Sequence, residues 1–182
     1  MEQHLALPLA DMASRHLGLS SGVAAYYLEA ARVCLDRHHQ PPVPFGLEDD
    51  GRSHSTSAAW EVTDERTRSA HANAIDATEA GAYAVAIAAT ELSRGLYAIR
   101  RAATRTGVDY YLAPADASQE DLENWVRLEV SGTDEGSHAE INTRLLQKVN
   151  QARAGASNLP ALAAVVGFEA RKVVIRSVDL GE

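Results

Sequence analysis

An alanine-rich run from Thr63 to about Ser93 constrains this chain more than any other segment. Thr63 or Asp64 can cap its start, alanine is the strongest helix former, and Gly81 is the one internal place where the helix could break. Gly95 marks its end. Beyond Gly95 the period changes. Leu96 to Ala103 reads as a strand, and Gly107 to Leu112 as another or as its continuation beyond a bend. An acidic, turn-rich insertion then occupies Pro114 to Asn124. Trp125 to Ser131 alternates cleanly, with Val126, Leu128 and Val130 on one face and Trp125, Arg127, Glu129 and Ser131 on the other. Ser137 to Ala154 reads as a helix burying Ile141, Leu145, Val149 and Ala152, closed by Gly155. Ala161 to Phe168 and Arg171 to Val178 read as final strands.

Before this core, Ser20 or Ser21 can cap a helix that runs to His38 or His39, with Val23, Tyr27, Ala31 and Cys34 along one face. Pro41, Pro42 and Pro44 end it. The expected organisation is an N-terminal helical segment (1–39), a linker or loop rich in Pro, Gly, Ser and Asp (40–62), and an α/β or α+β core (63–182), with a short strand near Trp60 to Val62. The 182 residues suit one domain of ordinary size. No apolar run is long enough for a membrane-spanning helix, and Met1-Glu2-Gln3-His4 lacks the basic start of a secretory signal. Cys34 stands alone, so neither an internal disulfide nor a thiolate zinc cage is expected, and a cytoplasmic location follows.

Charge narrows the function classes. Twenty-five acids against seventeen Lys and Arg leave a net charge of −8, which counts against autonomous binding to nucleic acid. The imbalance is uneven, however. Arg94 to Arg105 holds four arginines and no acid, whereas Thr106 to Glu140 holds nine acids and only Arg127. No glycine-rich phosphate-binding motif is present, nor a His pair at i, i+4. Cys34, His38 and His39 look superficially like a metal cluster, but histidines at a helix C-terminus answer to its macrodipole as well. His54, His71 and His138 are dispersed.

The chemistry-bearing pattern lies in the second half. Asp109 closes a strand, and Glu129 lies in the next with Ser131 two residues on, hence on the same sheet face. An Asp at one strand's end and a Glu inside its neighbour can converge on a hard cation such as Mg²⁺, which prefers oxygen ligands and keeps several waters. This element order resembles the PD-(D/E)XK nuclease superfamily, whose core is a helix, a β-meander, a helix and a further strand. The resemblance covers about residues 63–178. It implies a restriction-endonuclease-like fold and Mg²⁺- or Mn²⁺-dependent hydrolysis of DNA, in restriction, repair or phage defence. By that resemblance Asp109 and Glu129 hold metal and Glu79 is the helix acid. Arg100 to Asp109 looks like the basic approach to the metal Asp in resolvase-type members, so Arg100, Arg101 and Arg105 would contact phosphates.

One position departs from the pattern: Ser131 stands where the family has lysine. Arg144, Lys148 and Gln151 share one flank of the following helix, and the resemblance implies that Lys148, with Gln151, replaces the missing charge while Arg144 joins the nucleic-acid contacts. Plainer readings stand beside these. Asp109 can simply end a strand, Glu129 can pair with Arg127 on a solvated face, Glu79 can be a surface residue with Glu91 competing for its role, and Arg144 and Lys148 can border an amphipathic helix. Ser131, the −8 charge and the acidic insertion point to an alternative: a catalytically degenerate subunit of the same fold, docking a protein partner or a second copy through its first helix, or acting as an acidic inhibitor.

Overall fold

The computed structural model describes residues 5–103, 106, 108–117, 120–155 and 157–179. The alanine-rich run forms two helices rather than one. Asp64 caps α3 (Glu65–Ala70), and the chain restarts at Asn73, whose side chain accepts from the backbone N–H groups of Ile75 and Asp76 to open α4 (Ala74–Arg94). Helix α4 runs straight through Gly81 and is buried continuously from Ala80 to Thr90. Gly81 is not a break but a contact point. A Cβ there would come within 2.8 Å of the Ala31 backbone on α2 (Ser21–His38), so the two helices pack at backbone distance.

Behind α4 lies one mixed sheet of eight strands. They are β1 (Leu5–Ala6), β2 (Val43–Asp49), β3 (Arg52–Ala58), β4 (Leu96–Arg101), β5 (Tyr110–Pro114), β6 (Val126–Thr133), β7 (Ala161–Gly167) and β8 (Lys172–Val178), in spatial order β1-β3-β2-β8-β7-β6-β5-β4. Strands β4, β5 and β6 form an antiparallel meander. Helix α5 (His138–Ala154) then carries the chain over to β7, which runs parallel to β6. Helices α2 and α4 cover one face of the sheet and α5 covers the other. Strand β7, between two such layers, is buried at every residue and shows no alternation, as a strand covered on both faces should.

The segment 40–62 is corrected: it is a β-hairpin of the sheet, not a linker. Val43, Phe45 and Leu47 point into the core while Pro44 and Gly46 face outward, a clean period of two. The turn is Asp50-Gly51, both with positive φ (46° and 79°), the pairing that favours tight hairpins. Pro44 is tolerated because β2 meets its second neighbour, β8, only from Gly46 onward. No strand forms at Trp60–Val62. That stretch is anchored instead by Asp36, which accepts from the Trp60 indole (2.6 Å) and the Thr63 N–H (2.6 Å).

The first helix is corrected likewise. Tyr27, Ala31 and Cys34 are buried against α4 of the same chain, so they offer no docking stripe, and only Val23 of the four reaches solvent. Cys34 is fully buried, and that burial pushes its thiol up to about 11. No helix among the described residues is long and apolar enough to cross a membrane. The close approach of α2 and α4 is testable by denaturant unfolding. Gly81→Ala should cost about 1–3 kcal/mol by forcing the helix backbones apart. Gly22→Ala, with open space around its Cβ, should be neutral or stabilising by about 0.4–1 kcal/mol.

Candidate functional site

Four segments bring the site together at the last strand of the meander: α4, the start of β5, β6 and α5. Strand β6 lies between β5 and β7, so Glu129 sits in the middle of the sheet, paired with Ala163, and faces α5. Asp109 immediately precedes β5, and its backbone N–H donates to the Leu128 carbonyl (2.9 Å). This tie lays the Asp109 carboxylate across β6, where Oδ2 accepts from the Val130 N–H at 2.8 Å and Oδ1 accepts from the Tyr83 hydroxyl of α4 at 2.9 Å. Asp109 is therefore more than a strand terminator, because it bridges α4 and β6.

Glu129 is only 2% exposed. On α5 the spacing that buries Leu145, Val149 and Ala152 turns Lys148 toward the same sheet face, and its Nζ donates to Glu129 Oε2 at 3.0 Å and to Gln151 Oε1 at 3.3 Å. The solvated Arg127–Glu129 pair is not what forms. Arg127 is buried at 1% exposure and donates to the carbonyls of Leu159 (3.1 Å) and Ala152 (3.2 Å), tying the end of α5 to the sheet. Burial raises the Glu129 carboxyl above its ordinary value, the Lys148 ammonium pulls it back, and the negative charge of Asp109 raises it again.

Above them opens a cavity of about 400 Å³, walled on one side by Ala74, Thr78, Glu79 and Tyr83 of α4 and on the other by Arg144 and Lys148 of α5. Asp109 and the run Val130 to Asp134 form its floor, and Glu129 lies beneath Lys148 rather than on the open surface. Gly132 makes room for this arrangement, since a Cβ there would meet the Thr78 carbonyl and the Ala82 methyl at 2.8 Å. Ser131 lines the cavity where the resembled pattern has lysine, and Lys148 brings its charge in from the neighbouring helix.

The remaining expected residues divide. Glu79 lines the cavity and is exposed. Glu91, its rival, is taken up elsewhere by Arg15 (2.7 Å) and by the buried His16 (2.9 Å). Arg144 lines the cavity but also donates to Glu140 one turn earlier (3.1 Å). Arg100 is exposed on the edge strand β4. Arg101 stacks over the Tyr83 and Tyr110 rings, 4.5 and 4.9 Å from their centroids, and stands 3.7 Å from Asp109 Oδ1. Arg94, from the same basic run, is spent on Asp49 and Asp50. Arg105 lies outside the described residues.

Sequence reasoning misses two groups. Tyr83 follows Glu79 by one helical turn on the cavity side, a spacing that was legible. Asp134, on the cavity floor, is held by Arg37 (2.8 Å) and His38 (3.0 Å) from the end of α2, a long-range meeting with no local signal. Among the described residues, no three His, Cys, Asp or Glu side chains close into a ready metal shell. Asp109, Glu79 and Asp134 line the cavity as oxygen donors, the kind Mg²⁺ takes alongside water or phosphate oxygens, whereas Glu129 is buried against Lys148 and does not line it. Comparison with protein-family models, curated proteins and solved structures found no match to this chain.

The raised Glu129 carboxyl has a defined effect on stability. A carboxyl whose folded value exceeds its ordinary 4.5 contributes most to folding below pH 4.5, and that contribution is lost as pH rises through the folded value. Glu129→Gln should therefore gain stability relative to the unaltered protein as pH climbs from 4 to 8, while Lys148, about a quarter exposed, turns to solvent. Urea unfolding of both proteins across that range checks it. A gap that stays constant with pH would mean Glu129 titrates as an ordinary carboxyl.

Proposed function

We propose that this chain is a divalent-metal-dependent phosphodiester hydrolase acting on nucleic acid. The observation that carries the reading is the Lys148 ammonium on buried Glu129, beside an Asp109 carboxylate held in place from two elements. A buried carboxylate met by a lysine from the next helix, next to a cavity that a second carboxylate lines, supports a metal-assisted hydrolase over a plain surface ion pair. The succession α4–β4–β5–β6–α5–β7, with an antiparallel meander and a parallel crossover, supports the likeness to PD-(D/E)XK nucleases in element order.

In this reading Asp109 and Glu129 would hold Mg²⁺ or Mn²⁺, which when bound supplies Lewis acidity and a lowered pKa for water. The chain's own residues do the rest. Lys148 offsets the charge of Glu129 and, as a three-proton donor only partly used by Glu129 and Gln151, can hold a water or a phosphate oxygen at the cavity mouth. Glu79 faces the same space from α4 and can share the cation or accept a proton. Arg144, on the cavity wall, and Arg100, exposed on β4, are the candidate phosphate contacts.

A second reading keeps the fold without the chemistry, as a partner subunit or acidic inhibitor. It draws on the −8 net charge and on how many basic side chains are already committed, Arg94 to Asp49 and Asp50, Arg101 to its tyrosines and Arg144 to Glu140.

The test is cleavage of supercoiled, linear and single-stranded DNA, and of RNA, with Mg²⁺ or Mn²⁺. Metal-dependent cleavage should vanish in Asp109→Ala and Glu129→Ala. It should fall roughly 100-fold or more in Lys148→Ala. Lys172→Ala, which breaks an ion pair of similar length with Glu48 on a different part of the sheet, should leave it intact. Equal small effects at Lys148 and Lys172 would remove Lys148 from the chemistry. No cleavage of any substrate would shift the weight to the second reading.

A further inference from the structure

We infer that Tyr83 is the positioning residue for Asp109, and that Arg101 acts through Tyr83 rather than as a phosphate contact. This inference rests on the hydrolase reading and assigns two further residues to its site. The hydrogen bonds run in one direction. Arg101 has no acceptor atom, so its Nη2 donates to the Tyr83 oxygen at 3.0 Å. The single tyrosine proton is then left for Asp109 Oδ1 at 2.9 Å, while the Val130 N–H supplies Oδ2. One donor to each oxygen fixes the plane of this cavity-lining carboxylate.

The tyrosine ring has little freedom to turn away. Tyr27 lies 5.1 Å from it and Tyr110 packs edge-on at 5.8 Å, with their two hydroxyls bonded to each other at 2.9 Å. The Arg101 guanidinium covers the remaining side. A β-bulge makes that possible. The register of β4 on β5 slips between Ala98 and Arg100, so Arg101 falls opposite Tyr110, on the α4 side of the sheet. Without the extra residue Arg100 would take that place and Arg101 would face the other way. Bulges that re-aim a side chain beside a site are a recurrent device.

The experiment uses the full chain and Mn²⁺ alone, without nucleic acid, with affinity measured by calorimetry or by the free-Mn²⁺ paramagnetic resonance signal. Tyr83→Phe should weaken Mn²⁺ binding roughly 10- to 100-fold, the usual cost of losing a group that orients a ligand. Arg101→Met should weaken it less, and the double variant should bind no worse than Tyr83→Phe alone, since one residue acts through the other. Tyr110→Phe removes a hydroxyl from the same ring cluster that among the described residues bonds to Tyr27 and not to Asp109, so it should lower the melting temperature and leave Mn²⁺ affinity unchanged. Should Tyr83→Phe fail to fold, Arg101→Met, half exposed, decides in its place. Mn²⁺ affinity within twofold of the unaltered protein in Tyr83→Phe, or equal losses in Tyr83→Phe and Tyr110→Phe, overturns the positioning role alone. No Mn²⁺ binding by the unaltered protein overturns the hydrolase reading and this role with it.

Discussion

Everything in this molecule depends on how closely α4 can be approached. Its central turns carry alanines and Gly81, and they touch α2 on one side and β6 on the other at distances that no larger side chain would allow. Alanine contributes little apolar area per residue, so the stabilisation comes from bringing whole backbones together rather than from bulky anchors. That proximity has a functional consequence. With α4 resting on β6 through Gly132, Tyr83 reaches Asp109 and Glu79 overlooks the same cavity.

The site is an electrostatic compromise laid on that frame. Placing Glu129 at the centre of a sheet covered by α5 costs desolvation energy that the Lys148 pair only partly returns, because one member is buried and the other is partly wet. An isolated fold would be expected to do better with an apolar residue there. Arg127 adds to the cost, with its Nη2 lacking a hydrogen-bond partner among the described residues. A chain that keeps a carboxylate buried against a partly wet lysine gains less stability there than an apolar residue would give. That cost is the physical ground on which the proposed chemistry is placed here.

Much of this was open to reading along the chain. The period-two run at β6 assigned Leu128 and Val130 to one face and Arg127 and Glu129 to the other, and both assignments hold. The heptad-like spacing of α5 placed its buried stripe and, with it, the flank carrying Arg144, Lys148 and Gln151. The hairpin at Val43–Ala58 was also written locally, in alternating Val43, Phe45 and Leu47 and in Asp50-Gly51. Its prolines and serines outweighed that signal, although Pro44, Ser53 and Ser55 fall on exposed positions of the strands. The burial of Arg127 and Glu129 was not legible in the same way. Alternation says that two residues share a face, and only the layer packed on that face says whether they meet water.

Local sequence, then, determined the elements, their order and the residues that could carry charge to one region, because helix caps, turn residues and apolar period act over a few positions. Tertiary structure alone decided that the first helix is core, that 40–62 completes the sheet, and that a bulge at Ile99 hands Arg101 to Tyr83. It also decided that Lys148 finds Glu129 across nineteen residues of chain. Those outcomes depend on contacts between segments far apart in sequence, whose energies exist only once the sheet has brought them together.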